Sequence, residues 1–129
     1  MLKSGAIIQG ANVENAAYPV GTCAERVALG YAVFQVSVIA ALLNGLSLTY
    51  YKGVRMGDVK ALAVATNLET PGSPCGMCRQ FIREFCEPTM PILMFDINGK
   101  YVSMTIEQVL PMIFGPEKLL PPGDIPSHA

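Results

Sequence analysis

Two cysteines three positions apart give the clearest chemical signal in the chain. Cys75 and Cys78 follow Pro74, and apolar residues then recur at helical spacing. A proline at this place suits the start of a helix. Cysteines in the first turn of a helix lie near its positive end, which favours the thiolate, the form that binds metal. A C-x-x-C pair alone fits metal binding, redox chemistry or a structural role.

A third cysteine changes that balance. Cys23 has a carboxylate two residues on, at Glu25. The pairing of H-x-E with P-C-x-x-C is typical of zinc deaminases, and here Cys23 stands in place of the histidine. Three protein ligands leave one tetrahedral position open, as in catalytic zinc sites. We predict that Cys23, Cys75 and Cys78 hold one Zn²⁺ and that Glu25 moves protons. The alternative for Glu25 is a helix-capping residue.

Two arginines adjoin this group in the sequence, and a fourth cysteine lies further along the chain. Three thiolates with Zn²⁺ carry a net charge of −1, and we expect Arg26 and Arg79 to offset it as neighbours of the ligands. Solvated surface arginines are the alternative. Cys86 is different, because it would lie about 12 Å along a helix from Cys78 at about 1.5 Å per residue. Since Zn–S bonds are about 2.3 Å long, we expect Cys86 in the core.

Composition limits the classes of function. The 129 residues are enough for one domain. A net charge of −1 gives no electrostatic surface for nucleic acid. The single histidine, His128, makes a histidine-based catalytic triad or metal site a poor hypothesis. The start of the chain shows no secretory pattern and the thiols are in a C-x-x-C context, so we expect a reducing, cytoplasmic location.

The order of elements predicts an α/β fold. We expect strands at 4–11, 60–66, 91–96 and 101–104, and helices from Thr22, over 75–86 and after Thr105. Asn98-Gly99 predicts a turn. We predict a single domain over 1–118 and an extended Pro-rich tail over 119–129.

No charged residue occurs between Arg26 and Lys52. By its length, 27–51 is a candidate for a membrane span. A buried helix followed by a second apolar segment is the interpretation that we prefer, because polar residues interrupt the run. Within it, 34–51 is apolar enough to need burial, and extension of the helix that follows Cys23 is the first expectation.

The chain resembles the small zinc-dependent cytidine deaminases. The resemblance covers about 5–33 and 54–118, and four motifs carry it: Gly10-Ala11-Asn12-Val13-Glu14-Asn15-Ala16, Cys23-Ala24-Glu25-Arg26, Pro74-Cys75-Gly76-Met77-Cys78-Arg79-Gln80 and Leu110-Pro111-Met112-Ile113-Phe114-Gly115-Pro116.

This resemblance implies an α/β/α sandwich of three layers and a homotetramer. It implies that water on zinc attacks C4 of cytidine or deoxycytidine, that Glu25 transfers the protons, and that the uridines and ammonia leave, as in pyrimidine salvage. Substrate would be bound by Asn12, Glu14 and Ala24. The paired Asn12 and Glu14 side chains, which an extended backbone points the same way, suit ribose hydroxyls. They also fit ordinary turn-forming residues.

Two departures from the family pattern leave alternatives open. The usual first helix and strand are lacking before Gly5, and 34–51 is an atypical apolar insertion, as an imperfect gene model could produce. One alternative is therefore a catalytically impaired isoform that acts as a zinc-binding structural or interface protein. Another is a thiol redox module of Cys75 and Cys78, against which we expect no βαβ unit around the motif. Deamination of a polynucleotide is disfavoured by the net charge.

Overall fold

The structure is a computed structural model that describes residues 1–44, 57–115 and 118. Its elements are a 3-10 turn (Tyr18–Val20), α1 (Ala24–Asn44), β1 (Leu62–Ala65), α2 (Gly76–Phe85), β2 (Pro91–Phe95), β3 (Tyr101–Thr105) and α3 (Ile106–Val109). The mixture of helices and a sheet confirms the predicted α/β class. The predicted tail, 119–129, lies outside the described residues, and the single domain stays a prediction.

The described strands form one mixed sheet in the order β1-β2-β3. β1 is parallel to β2, with Leu62 opposite Ile92, and β2 is antiparallel to β3. α2 joins the two parallel strands, so the C-x-x-C motif does lie within a βαβ unit. Our expectation of no such unit was wrong, because the sequence pattern predicts strands without fixing their relative direction. Topology therefore does not argue against the redox alternative. The argument that remains is the third thiol, Cys23, which lies with Cys75 and Cys78.

The predicted strand over 4–11 was also wrong. Residues 6–12 carry no strand, and only two isolated antiparallel bridges flank them, Leu2 with Val59 and Val13 with Thr22. A strand exists by pairing with a neighbour, and no described strand lies beside this stretch. Its weak alternation predicted an extended backbone but could not supply the partner.

The first helix begins two residues after Thr22, the residue predicted to start it, and it continues to Asn44. The backbone N–H and C=O of Thr22 pair with Val13, so helical bonding starts only at Cys23, whose carbonyl accepts from Arg26 and Val27. α1 then continues to Asn44, which confirms helix extension for 34–44. Residues 45–51 of the predicted insertion lie outside the described residues. No helix in the described part of the chain is long and apolar enough to cross a membrane.

The core lies between α1, α2, α3 and the sheet. One stripe of α2 is completely buried at helical spacing, through Cys78, Ile82 and Cys86. The rest of the buried apolar cluster is contributed by Leu29, Ala32, Val59, Met90, Ile92, Met94, Ile106 and Val109. Cys86 is thus a core residue as predicted, and burial raises the pKa of its thiol to about 12. One end of this buried stripe is Cys78, a predicted zinc ligand, so the metal site adjoins the core.

Candidate metal centre and active site

Three thiols from two helix starts meet at one point. Cys23 immediately precedes α1, Cys75 occupies the N-cap position of α2, and Cys78 lies in the first turn of α2. Their Sγ atoms all lie within 4.8 Å of one another, and those of Cys23 and Cys75 are 3.9 Å apart. Four bonds of about 2.3 Å to a tetrahedral zinc separate neighbouring sulfurs by about 3.8 Å. The spacing of the three sulfurs fits one zinc ion.

The thiols differ in their affinity for protons. A hydrogen bond from the backbone N–H of Cys78 lowers the pKa of Cys75, despite partial desolvation. Burial raises the pKa of Cys78, and hydrogen bonding to Cys75 and the charge of Glu25 raise it further. Zinc binds thiolates, so loading this site must displace the proton of Cys78. Glu25 is close enough to the group to contribute to this shift.

Arg26 lies beside the sulfurs of Cys23 and Cys78. Desolvation opposes its charged form, yet hydrogen bonds to Cys23 and Cys78 and the attraction of their thiolates raise the pKa of the guanidinium. Its Nη2 donates to the carbonyl of Gly21 at 3.4 Å. A permanent cation is therefore positioned to offset the negative charge of three thiolates.

Arg79 is engaged elsewhere. Its Nε donates to the carbonyl oxygen of Pro74 at 2.7 Å, its Nη1 to that of Val109 at 2.9 Å, and its Nη2 to the Ser73 hydroxyl at 2.8 Å. These bonds tie the loop that enters Cys75 to the end of α3. These hydrogen bonds position Arg79, and its expected offset of the thiolate charge stays a prediction.

Glu25 and Ala24, in the first turn of α1, line a cavity of about 880 Å³. The opposite wall is β1, and Gly10 and Ala11 form part of the near wall. None of the three cysteines lines it. The cavity therefore adjoins the thiol group and does not contain it, and Glu25 borders both.

Asn12 forms hydrogen bonds to Ala24, the residue before Glu25, and to Glu14. Its Oδ1 accepts a hydrogen bond from the backbone N–H of Ala24 at 2.9 Å, and its Nδ2 donates to Glu14 Oε1 at 3.2 Å. The two polar side chains therefore do lie side by side. Because the N–H of Ala24 is occupied by Asn12, Ala24 reaches the cavity through its other atoms.

Sequence reasoning missed Gly10. A Cβ atom at Gly10 would lie 2.6 Å from both the carbonyl oxygen of Ala24 and the backbone nitrogen of Ala28. Only glycine permits this approach of the loop to α1. The one available signal was a glycine inside an extended apolar stretch, which often marks close backbone contact. Tyr18 and Phe114 are 88% and 56% exposed.

Comparison with known proteins identifies the family to which the chain belongs. The cytidine and deoxycytidylate deaminase zinc-binding region matches residues 1–94. The chain belongs to this deaminase family. It is 38% identical over 119 residues to a cytidine deaminase of Sporosarcina psychrophila, covering 92% of this chain and 74% of the relative. It is 34% identical, also over 119 residues, to a cytidine deaminase of Halalkalibacterium halodurans, covering 92% and 76%.

A solved structure supports the same assignment. The crystal structure of cytidine deaminase from Burkholderia pseudomallei superposes with a TM-score of 0.67 at 32% identity, over 88% of this chain and 76% of that one. The fold is therefore that of a cytidine deaminase, and a zinc-dependent deaminase is the class of enzyme to which the family belongs. The roles of individual residues remain predictions.

Proposed function

We propose that this chain catalyses the hydrolysis of cytidine and deoxycytidine to uridine and deoxyuridine, with release of ammonia. The observation that carries the proposal is the meeting of three Sγ atoms within 4.8 Å, next to a cavity that Glu25 borders. The donor set suits Zn²⁺. When bound, zinc supplies the Lewis acidity that lowers the pKa of a water molecule to near neutrality.

Glu25 is the proton carrier in this proposal. Its carboxylate takes a proton from the attacking water and delivers it to N3 of the pyrimidine. The oxygen adds to C4, the bond from C4 to the exocyclic nitrogen breaks, and Glu25 passes the second proton of the water to the leaving amine. The carboxylate is regenerated when ammonia leaves, so the chain's own residues return to their starting state.

The nucleoside is oriented by the loop before α1. Glu14 offers carboxylate oxygens to ribose hydroxyls, and Asn12 holds Glu14 through its amide group. Asn12 is itself held by the N–H of Ala24, so the proposed sugar site is tied to the start of α1. Ala24 forms part of the wall beside the base.

Assembly and location complete the proposal. Tyr18, Met112 and Phe114 are large apolar side chains that this chain leaves exposed, which favours a homotetramer that covers them. All four cysteines are free, which favours a reducing cytoplasm, where a deaminase of this kind would serve pyrimidine salvage.

One observation favours a second candidate, a zinc-binding structural protein with impaired catalysis. β1 lines the cavity that Glu25 borders, and it is an edge strand of the described sheet. A pocket wall that is paired to the sheet on one side only would hold a nucleoside less firmly. The two candidates share the zinc site and differ in turnover.

The experiment is a paired measurement on one preparation. Zinc per chain is quantified, and cytidine is incubated with the protein while uridine is identified by chromatography. We expect one zinc per chain and catalytic production of uridine. Glu107→Gln, an exposed glutamate on α3, is the matched control and should behave as the unmodified protein. One zinc without uridine would favour the structural candidate, and no zinc would contradict both.

A further inference from the structure

The two cysteines of the C-x-x-C motif are held in the fold in different ways. Cys78 is completely buried in the stripe of α2 that packs into the core, so close packing sets its position. Cys75 is exposed and precedes the helix, so packing does not set its position. The backbone that leads into Cys75 must therefore be fixed by hydrogen bonds if its sulfur is to stay within 4.8 Å of the other two.

Arg79 bonds to each of the three residues of this backbone. Its Nε donates to the carbonyl oxygen of Pro74 at 2.7 Å, and its Nη2 donates to the hydroxyl of Ser73 at 2.8 Å. Its backbone N–H donates to the carbonyl oxygen of Cys75 at 2.9 Å. Pro74 is fully buried, and a hydrogen bond from a charged donor is stronger than one between neutral groups. Arg79 thus holds the whole of 73–75, which we name the ligand loop.

The remaining nitrogen of the guanidinium reaches an element that the core fixes. Nη1 of Arg79 donates to the carbonyl oxygen of Val109 at 2.9 Å. Val109 is the last residue of α3, and it is buried with Ile106 in the apolar core. At the start of the same helix, the Gln108 side chain accepts from the backbone N–H of Thr105 at 2.8 Å. The ligand loop is therefore tied through one side chain to a helix with its own fixed position.

The shape of the Arg79 side chain matters as much as its charge. Each of the three guanidinium nitrogens has its own acceptor, two on the ligand loop and one at the end of α3. A lysine has a single nitrogen on a flexible stem, so it keeps the charge but does not reproduce a planar fork of donors. Positioning by the fork and offset of the thiolate charge therefore predict different behaviour of Arg79→Lys.

We propose that Arg79 is a positioning residue for Cys75: its guanidinium fixes the ligand loop to the end of α3, and this raises the affinity of the site for Zn²⁺. Loss of a group that orients a metal ligand typically weakens metal binding by about 10–100-fold. The inference rests on the proposed zinc site and adds to it a residue that sets zinc affinity. It does not depend on turnover, because Arg79 does not line the cavity that Glu25 borders.

The test measures the dissociation constant for zinc by competition with a chromogenic chelator. Arg79→Gln removes the charge and the fork, whereas Arg79→Lys keeps the charge and removes the fork. The matched control is Gln80→Ala. Gln80 is the next residue of α2 and is half-buried like Arg79. Its Nε2 donates to the carbonyl oxygen of Phe114 at 3.0 Å and to Glu84 at 2.7 Å, both outside the ligand loop.

Both substitutions of Arg79 should weaken zinc binding. We expect the Kd for zinc to rise by about 10–100-fold in Arg79→Gln and in Arg79→Lys, and by less than about threefold in Gln80→Ala. An Arg79→Lys variant that binds zinc as tightly as the unmodified protein would contradict the proposal, because charge alone would then suffice. Equal weakening in Gln80→Ala would also contradict it.

A second readout locates the effect at Cys75. The zinc-loaded proteins are treated with iodoacetamide, and peptide mass spectrometry gives the labelling rate of each cysteine. In Arg79→Gln we expect Cys75 to react at least about tenfold faster than in the unmodified protein, while Cys23 and Cys78 stay protected. Cys86, which is buried in the core, should stay slow and so report an intact fold. Equal acceleration at all three predicted ligands would contradict a role specific to Cys75.

Ser73→Ala tests the same contact from the loop side. Ser73 is exposed, so this variant keeps the core, and it removes one acceptor of the fork. Zinc binding should weaken by more than about twofold. The effect should vanish in the double variant with Arg79→Gln, because both changes remove the same bond, and additive effects would contradict the proposal. Unchanged zinc affinity in every variant of a protein that produces uridine would contradict this proposal alone, whereas the expected affinities without uridine would contradict only the deaminase function.

Discussion

Asn12 and Ala24 are joined by a 2.9 Å hydrogen bond that fixes the loop before α1 to the first turn of that helix. The bond satisfies one of the backbone N–H groups that a helix leaves unpaired at its start. It also holds the Asn12 amide beside Glu14. One side chain therefore links Glu14, the proposed ribose-binding residue, to the first turn of α1, which carries Glu25.

Replacing Asn12 should separate these two roles. We expect Asn12→Ala to lower the free energy of unfolding by about 0.5–2 kcal/mol, the usual cost of losing a helix cap, and to raise KM for cytidine. Asn12→Asp keeps the acceptor for the Ala24 N–H and places a negative charge beside Glu14. It should retain stability and still raise KM. Denaturant unfolding and steady-state kinetics check both. Equal stability of Asn12→Ala and the unmodified protein would show that the bond to Ala24 is unimportant.

The contact of Gly10 with α1 predicts a destabilising substitution. Gly10→Ala places a methyl group 2.6 Å from backbone atoms of Ala24 and Ala28, and such overpacking typically costs about 1–3 kcal/mol. Activity should fall with it, because the loop moves away from Glu25. The matched control is Gly30→Ala within α1, where no atom lies within 4 Å of the new Cβ. It should stabilise the protein by about 0.5–1 kcal/mol. Tm values in the reverse order would contradict the packing described here.

The pKa shifts of the thiols predict an order of alkylation. In zinc-free protein at pH 7, Cys75 should react first with iodoacetamide, because it is exposed and its pKa is lowered, which increases the thiolate fraction at that pH. Cys86 should react last, because it is buried and its pKa is raised to about 12. Zinc should protect Cys75 and leave the slow rate of Cys86 unchanged. Peptide mass spectrometry gives the rates. Labelling of Cys86 as fast as Cys75 would contradict this order.

Loss of a predicted ligand should remove the effect of a chelator. The free energy of zinc binding contributes to folding, so a chelator should lower the Tm of the unmodified protein. Cys75→Ala should have a lower Tm and no further response. Cys86→Ala is the control, since it removes a core thiol outside the group of three. It should lose stability through packing and keep the full response. A chelator response that survives Cys75→Ala would exclude Cys75 as a ligand.

Local patterns predicted the thiol group better than they predicted its surroundings. The meeting of Cys23 with Cys75 follows from motifs whose residue types and spacing are already specific. The buried stripe through Cys78, Ile82 and Cys86 likewise follows from helical periodicity. Both are properties of short segments.

What the sequence could not predict depends on distant partners. The alternation over 4–11 predicted a strand, yet a strand needs a paired neighbour, and none is described beside it. The hydrogen bonds of Arg79 to Pro74, Val109 and Ser73 could likewise not be predicted from its position after Cys78. The direction of β1 relative to β2, which makes the βαβ unit, is likewise fixed only by packing.

The most direct test of the zinc-dependent deaminase is Glu25→Gln, measured for zinc content and cytidine turnover in the same preparation. The amide keeps the size of the side chain and cannot accept a proton from water. We predict one zinc per chain, as in the unmodified protein, with turnover reduced by at least the factor of about 10²–10⁴ typical of a lost acid–base group. Retention of a tenth or more of the original rate by the zinc-loaded variant would contradict the proposed role of Glu25.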